Sequence, residues 1–185
     1  MRIEKIVYPG KSLARESGKV IFADEGLPGE LVRVEPVAEK KNYTQGRTEE
    51  ILEPSPHRVA PSCGHYKICY PYQYIDYAFQ LEIKKAPIKE MYEHALKTSL
   101  KEIPFTPAEE IWGYRNKIHV HMLWQKTRPV LAYHESDERN AFMPFDTCAL
   151  VSEQMNACLK RMVELAREKK GAGIREITLR QSHAD

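Results

Sequence analysis

The sequence contains no apolar run near the roughly 18 residues of a membrane span, and its start, Met-Arg-Ile-Glu-Lys, has none of the apolar stretch of a secretion signal. Those absences point to a cytoplasmic protein that makes no membrane contact. Neither charge is in excess. With 28 Lys and Arg against 26 Asp and Glu the net charge is +2, so a polyanionic partner has to be held by a local basic patch rather than by the overall field. Cysteines number only four, and in a reducing compartment they are core thiols or metal ligands before they are disulfides. What is present is a 42% apolar fraction over 185 residues, enough for one core or two small ones, and nothing in the pattern calls for more than a monomer.

Residues 1–53 give no helix signal. Short apolar runs recur between turn residues: "IEKIVYPG", "GKVIFADEGLPGE", "LVRVEPV" and "NYTQGRTEEIL". Val32 and Val34 alternate with Arg33 and Glu35, the two-residue period of a half-buried strand, while Val20-Ile21-Phe22 suits a more buried one. About five short strands with Gly and Pro turns predict a small barrel of the OB type. Lys40, Lys41, Tyr43 and Arg47 place cations and an aromatic face on one strand-turn-strand. Cations confer salt-dependent affinity for phosphates, and an aromatic ring stacks a base for roughly 1–3 kcal/mol. The plainer alternative is a solvated hairpin whose lysines guard an exposed edge, neutralised by Glu39, Glu49 and Glu50. Arg58 reads as a local hydrogen-bonding residue.

In order and spacing, "GKSLAR", "GKVIFADEGLPGELVRVEP", "KKNY" and "EILEPSPHRVAPSC" resemble the TRAM domain that opens the uracil-5 RNA methyltransferases. That resemblance implies an RNA-binding barrel over 1–53. Ser12 stands where the family usually has glycine, which predicts a slightly different first turn.

Pro54, Pro56, Pro61 and Pro71 exclude regular structure over 54–73 and mark an ordered, cysteine-bearing linker. Many family members carry Cys-x5-Cys-Gly-Gly-Cys there, plus a remote cysteine, and the four thiolates hold an iron–sulphur cluster. Cys63 and Cys69 keep the spacing, and Cys148 in "FDTCALVSEQMN" fits the remote position. The third ligand is replaced, Tyr70-Pro71-Tyr72 standing for Gly-Gly-Cys. "CYPYQ" followed by "DYAFQLEIKK" resembles a cluster-free variant. The three cysteines therefore remain metal candidates beside the reading that they simply pack, and Cys63, His65, Cys69 and Cys148 make a chemically possible zinc set with an unusual spacing. Cys158 falls on the apolar stripe Val151, Met155, Cys158, Met162, Leu165, which predicts a core thiol.

Residues 74–185 resemble the family's central α/β domain, cut short. "YIDYAFQLEIKKAPIKEMYEHALK" predicts a helix with Tyr74, Ala78, Leu81, Ile88, Met91 and Ala95 on one side, kinked or split at Pro87, with Glu82–Lys85 and Glu90–His94 on the wet face. "WGYRNKIHVHMLW" carries the family's recognisable "GYRNK". Its strand sets Ile118, Val120, Met122 and Trp124 against a polar face with Lys117, His119 and His121. Arg115 and Lys117 are candidate RNA contacts, a structural Arg115 being the even alternative. His119 and His121 form an i, i+2 pair, but no carboxylate motif lies near them in sequence. A strand, a polar loop and the edge bearing Cys148 follow. Next is a long helix from Ser152 to a basic Arg167–Lys170 turn and Gly171, then the strand "IREITLRQS" close to the last residue.

Family methylation needs a nucleophilic cysteine, a general base and S-adenosylmethionine on a Rossmann-like domain. "GAG" at 171–173 follows a helix and precedes a strand, the reverse of a cofactor loop. No catalytic residue is assigned, and S-adenosylmethionine is expected only of a full-length relative. The architecture expected is α+β, with three readings of function. One is the RNA-binding, substrate-presenting front portion of a uracil-5 methyltransferase of rRNA or tRNA, served by a separately encoded SAM-binding domain. The others are a stand-alone RNA-binding protein and a metal or iron–sulphur module.

Overall fold

The computed structural model describes residues 1–69, 71–134, 141–169 and 173–182. Tyr70, the polar loop at 135–140, Lys170, Gly171 and Ala172 at the helix end, and His183 to Asp185 lie outside the described residues. Five strands come first: β1 (Lys5–Val7), β2 (Lys11–Glu16), β3 (Lys19–Ala23), β4 (Leu31–Glu39) and β5 (Tyr43–Glu53). Helices α1 (Tyr66–Cys69) and α2 (Tyr77–Leu96) follow, then β6 (Lys117–Gln125), β7 (Arg128–His134), β8 (Phe142–Phe145), α3 (Glu153–Glu168) and β9 (Glu176–Arg180). The chain divides into two compact units, Met1–Pro61 with Tyr70–Pro107, and Ser62–Cys69 with Ala108–Asp185.

In the first unit the five strands form one sheet in the order β1-β2-β3-β5-β4, with β3 and β5 parallel and the other pairs antiparallel. The five strands match the sequence expectation, and no helix interrupts them. As a ladder the sheet is open, β1 and β4 being its ends. A short stitch runs between the residues before β1 and the start of β4: Arg2 bridges Leu31, and Ile3 N donates to Glu30 O at 2.9 Å. Alternation gives the sheet its buried side, where Ile3, Ala14 and Val32 pack together. Gly46 is required by close approach, since a Cβ there would lie 2.2 Å from Val34 Cγ1 and 3.0 Å from the Glu35 carbonyl. Ser12 lies within β2 rather than in a turn. Its buried hydroxyl donates to Gly26 O at 2.6 Å, satisfying a carbonyl that a glycine at position 12 would leave alone.

Helix α2 starts on Asp76, whose carboxylate accepts from Phe79 N at 2.9 Å, and stops at Lys97 in the left-handed conformation. It runs as one element through Pro87 rather than splitting there. Within the helix the buried positions are Gln80 and Ile83; of the predicted stripe Tyr74, ahead of the helix, is buried and Leu81 and Ile88 are half-buried, but Met91 is 60% exposed. Glu82 and Lys85 pair as expected at 3.0 Å, but Glu90 takes Lys5 at 2.9 Å instead of His94.

The second unit is built on an entirely antiparallel sheet in the order β8-β7-β6-β9 with α3 against β7, so its character is α+β rather than α/β. Ile118, Val120 and Met122 are buried as predicted, whereas Trp124, next to the turn of the β6–β7 hairpin, is 38% exposed. Ser152 caps α3 by accepting from Met155 N. Val151 and Met155 of the predicted stripe are buried and Met162 and Leu165 half-buried, but further along the helix the buried positions fall one residue later, at Leu159 and Ala166, which leaves Cys158 exposed. The proline-rich segment is not wholly irregular: α1 forms within it.

Candidate functional site

The first candidate surface grows out of the β4–β5 hairpin. Lys40 N donates to Tyr43 O at 2.9 Å, closing the turn that presents Lys40 and Lys41. Along β5, Thr44 and Gly46 point inward while Tyr43 and Arg47 share the other face. Tyr43 is half-buried, edge-on to Phe22 with ring centroids 5.6 Å apart, which fixes its ring. Lys40, Lys41 and Arg47 are exposed, and none has an ion-pair partner among the described residues. Two of the expected neutralisers are engaged elsewhere: Glu39 pairs with Lys19 at 3.5 Å and Glu50 with Arg33 at 2.6 Å.

Arg58 makes local contacts, as its sequence context suggests. Its guanidinium donates to Glu30 through Nε and Nη2, both at 2.7 Å, and to Glu25 at 2.6 Å, and it lies 4.7 Å over the Tyr74 ring. Leu27 N and Ser55 N also donate to Glu30, which is fully buried. Burial opposes ionisation of Glu30, but the hydrogen bonds from Arg58, Ser55 and Leu27 with the Arg58 charge outweigh it and hold the pKa below the usual value. Burial pushes the Tyr74 phenol up to about 12.

In the second unit, Cys63 and Cys69 are half-buried and Cys148 buried. His65 sits between the first two. Its Nε2 contacts Pro144 O at 2.8 Å, and because a carbonyl only accepts, Nε2 carries the proton. Nδ1 then accepts from Cys63 Sγ at 3.2 Å when the ring is neutral, and Cys69 Sγ donates to His65 O at 3.4 Å. Asn156 clamps the Cys148 backbone from both sides, and Arg115 donates to Cys69 O at 2.7 Å. Burial raises the Cys69 pKa, with Arg115 opposing and Cys148 and Cys63 adding to the rise. Arg115 thus braces the α1 turn, while Lys117, on β6, is exposed. A four-thiolate cluster does not fit this donor set. Three thiols are present, and among the described residues the only three ligand groups that converge within 4.8 Å lie elsewhere, at His119, His121 and Glu176.

No family model matches the chain. Sequence relatives are nonetheless clear. The 23S rRNA (uracil(1939)-C(5))-methyltransferase RlmD of Xylella fastidiosa is 34% identical over 145 residues, 75% of this chain and 33% of that protein. The RlmD of Xanthomonas oryzae is 32% identical over 144 residues, 74% of this chain and 32% of that one. That of Nitrosococcus oceani is 27% identical over 168 residues, 88% and 37%. The chain is homologous to the uracil-5 RNA methyltransferase family. It spans about a third of the length of these relatives. A similar fold is seen in the crystal structure of Pyrococcus abyssi tRNA (uracil-54, C5)-methyltransferase in complex with S-adenosyl-L-homocysteine, at TM-score 0.63 and 22% identity, covering 98% of this chain and 42% of that one.

The residues described here do not fit a seat for the family's methyl donor. Among the described residues β3 and β5 are the one parallel strand pair, and β4 rather than a helix connects them, so they do not make the strand-helix-strand crossover on which a Rossmann-like cofactor domain is built.

Sequence reasoning missed Glu176 and Tyr133. Glu176 reaches the His119–His121 face only through the β6–β9 pairing. Tyr133 lies in a strand pattern that gave no hint of its contact with the Cys148 region, which strand alternation alone does not specify.

Proposed function

We propose that this chain is an RNA-recognising portion of a uracil-5 RNA methyltransferase, holding a uridine-containing rRNA or tRNA for methylation by a SAM-dependent catalytic domain that these residues do not supply. The observation that carries this reading is the set Lys40, Lys41 and Arg47, exposed together on the β4–β5 hairpin without ion-pair partners among the described residues. Phosphates take such cations at little desolvation cost, and Tyr43, braced against Phe22, offers an aromatic ring to a base. In this reading the sheet of residues 1–53 is a TRAM domain of OB type, with the Arg2–Leu31 stitch completing its closure. Residues 54–73 are its linker and 74–185 a central domain, in which Lys117 is a further phosphate contact and Arg115, just before β6, anchors the start of that strand by its bond to Cys69 O.

The test is binding of a fluorescent uridine-containing RNA hairpin across a salt series, wild type against Lys40→Ala/Lys41→Ala/Arg47→Ala. Each lost phosphate contact flattens the dependence of log K on log salt by about 0.7 on single strands. Weaker binding with a flatter slope is expected; an unchanged slope in the triple variant would remove the hairpin from the interface.

A further inference from the structure

The polar face of β6 holds a second constellation, which the uracil-5 methyltransferase reading leaves unused. His119 and His121 stand two residues apart on one side of the strand, and β9 runs antiparallel beside them with His121 opposite Glu176 and His119 opposite Thr178. Glu176 therefore lies directly across from one imidazole and diagonally from the other, the two cross-strand separations that a long side chain bridges. Its carboxylate oxygens lie 3.8 Å from His119 Nε2 and 3.7 Å from His121 Nδ1, and one ligand atom from each of the three residues falls within 4.8 Å of the others.

We infer that His119, His121 and Glu176 bind a divalent transition-metal ion of the zinc class. Two imidazoles and one carboxylate form a donor set that such ions favour, whereas magnesium and calcium select oxygen donors throughout. The spacing needs only small side-chain rotations: tetrahedral coordination at ordinary zinc distances brings donors to about 3.3 Å of one another. A second observation orients the site. His119 Nδ1 lies 2.8 Å from Thr178 Oγ1. With the ring nitrogen donating to that hydroxyl, Nε2 is left unprotonated and aimed at Glu176, the outer-shell arrangement that metal-bound histidines characteristically use. His121 is held by ring contacts with Phe142 at 5.0 Å and His134 at 6.0 Å. Three protein ligands leave a fourth position on the solvent side for water or another oxygen ligand. Bound metal would also pin β9 to β6, adding to their ladder and to the His119–Thr178 contact.

The site is tested by titrating the full, untagged chain with Co2+ and following visible absorption, then displacing it with Zn2+. Expected is one equivalent of cobalt bound without the thiolate charge-transfer absorption that ligation by Cys63, Cys69 or Cys148 would give, together with a rise in Tm on adding Zn2+. His121→Ala and Glu176→Gln should each lower affinity at least about tenfold, and Thr178→Val by about tenfold through the lost orientation of His119. All three positions lie on the sheet's polar face, and circular dichroism checks that each variant is folded. Strong thiolate charge transfer, an affinity unchanged in His121→Ala and Glu176→Gln, or no binding at all would each overturn the inference.

Discussion

Each unit contains a polar cluster out of full contact with solvent, and the two are satisfied in different ways. Around Glu30 every oxygen is used: two backbone N–H groups and two guanidinium nitrogens converge on one carboxylate, and Glu25 takes a further nitrogen of Arg58. Around Cys148 the side chains are less complete. The Tyr133 hydroxyl is buried with no hydrogen-bond partner among the described residues, although it faces the Cys148 thiol, and the cluster is held largely by bonds to its backbone from Asn156 and Arg115. A buried network with every member paired fixes a unique arrangement, whereas one held through the backbone leaves its side chains open to replacement. The first cluster is therefore a fixture of the fold and the second a place that tolerates change.

The strongest way to break this contrast is Arg58→Ala. Removing the guanidinium leaves Glu30 and Glu25 as buried or nearly buried carboxylates without their counter-charge, and the loss should be about 3–5 kcal/mol in a urea unfolding series. A loss under about 1 kcal/mol would show that the cluster is not the fixture described. A smaller effect follows from pH. The pKa of Glu30 is depressed on folding, so its contribution is fully present above the unfolded-state value, about 4.3, and is lost as pH falls through the folded-state value below it. Stability measured from neutral pH downward should fall more steeply in wild type than in Glu30→Gln over that acid window. Parallel curves would mean that Glu30 is not what titrates.

Much of the first unit could be read from the sequence because its information is local. Alternation at Val32 and Val34 and the Gly and Pro turns locate five strands, and a short-range pattern of that kind survives folding unchanged. Helix faces were legible only to within a residue or so. Both α2 and α3 carry apolar residues on more than one flank, and what they pack against decides between Ile83 and Met91, or between Leu159 and Cys158. Least legible were the pairs that strand registry brings together. Nothing near His119 announces Glu176, and nothing near Glu30 announces Arg58, since 28 or more residues of chain separate partners that meet in the folded protein. The hairpin cations were visible as residues, but that Glu39 and Glu50 are committed to Lys19 and Arg33 is a tertiary fact.

The finest probe of the contrast is Tyr133→Phe. The ring stacks on Phe145 with centroids 4.4 Å apart and an interplanar angle of 17°, a contact phenylalanine keeps. Burial, and next the neighbouring Cys148, hold the phenol well above its usual pKa, so the hydroxyl stays neutral at any ordinary pH and contributes no charge. Removing a buried hydroxyl that has no partner takes away a desolvation cost without breaking a bond, so stability should be unchanged or rise by up to about 1 kcal/mol. A loss of more than about 1 kcal/mol would mean that the hydroxyl does bond the Cys148 thiol. Cys148→Ala, alone and in the Tyr133→Phe background, separates the cases: additive effects leave the two side chains uncoupled, whereas a coupling energy above about 0.5 kcal/mol would make the cysteine cluster a wired network like that of Arg58.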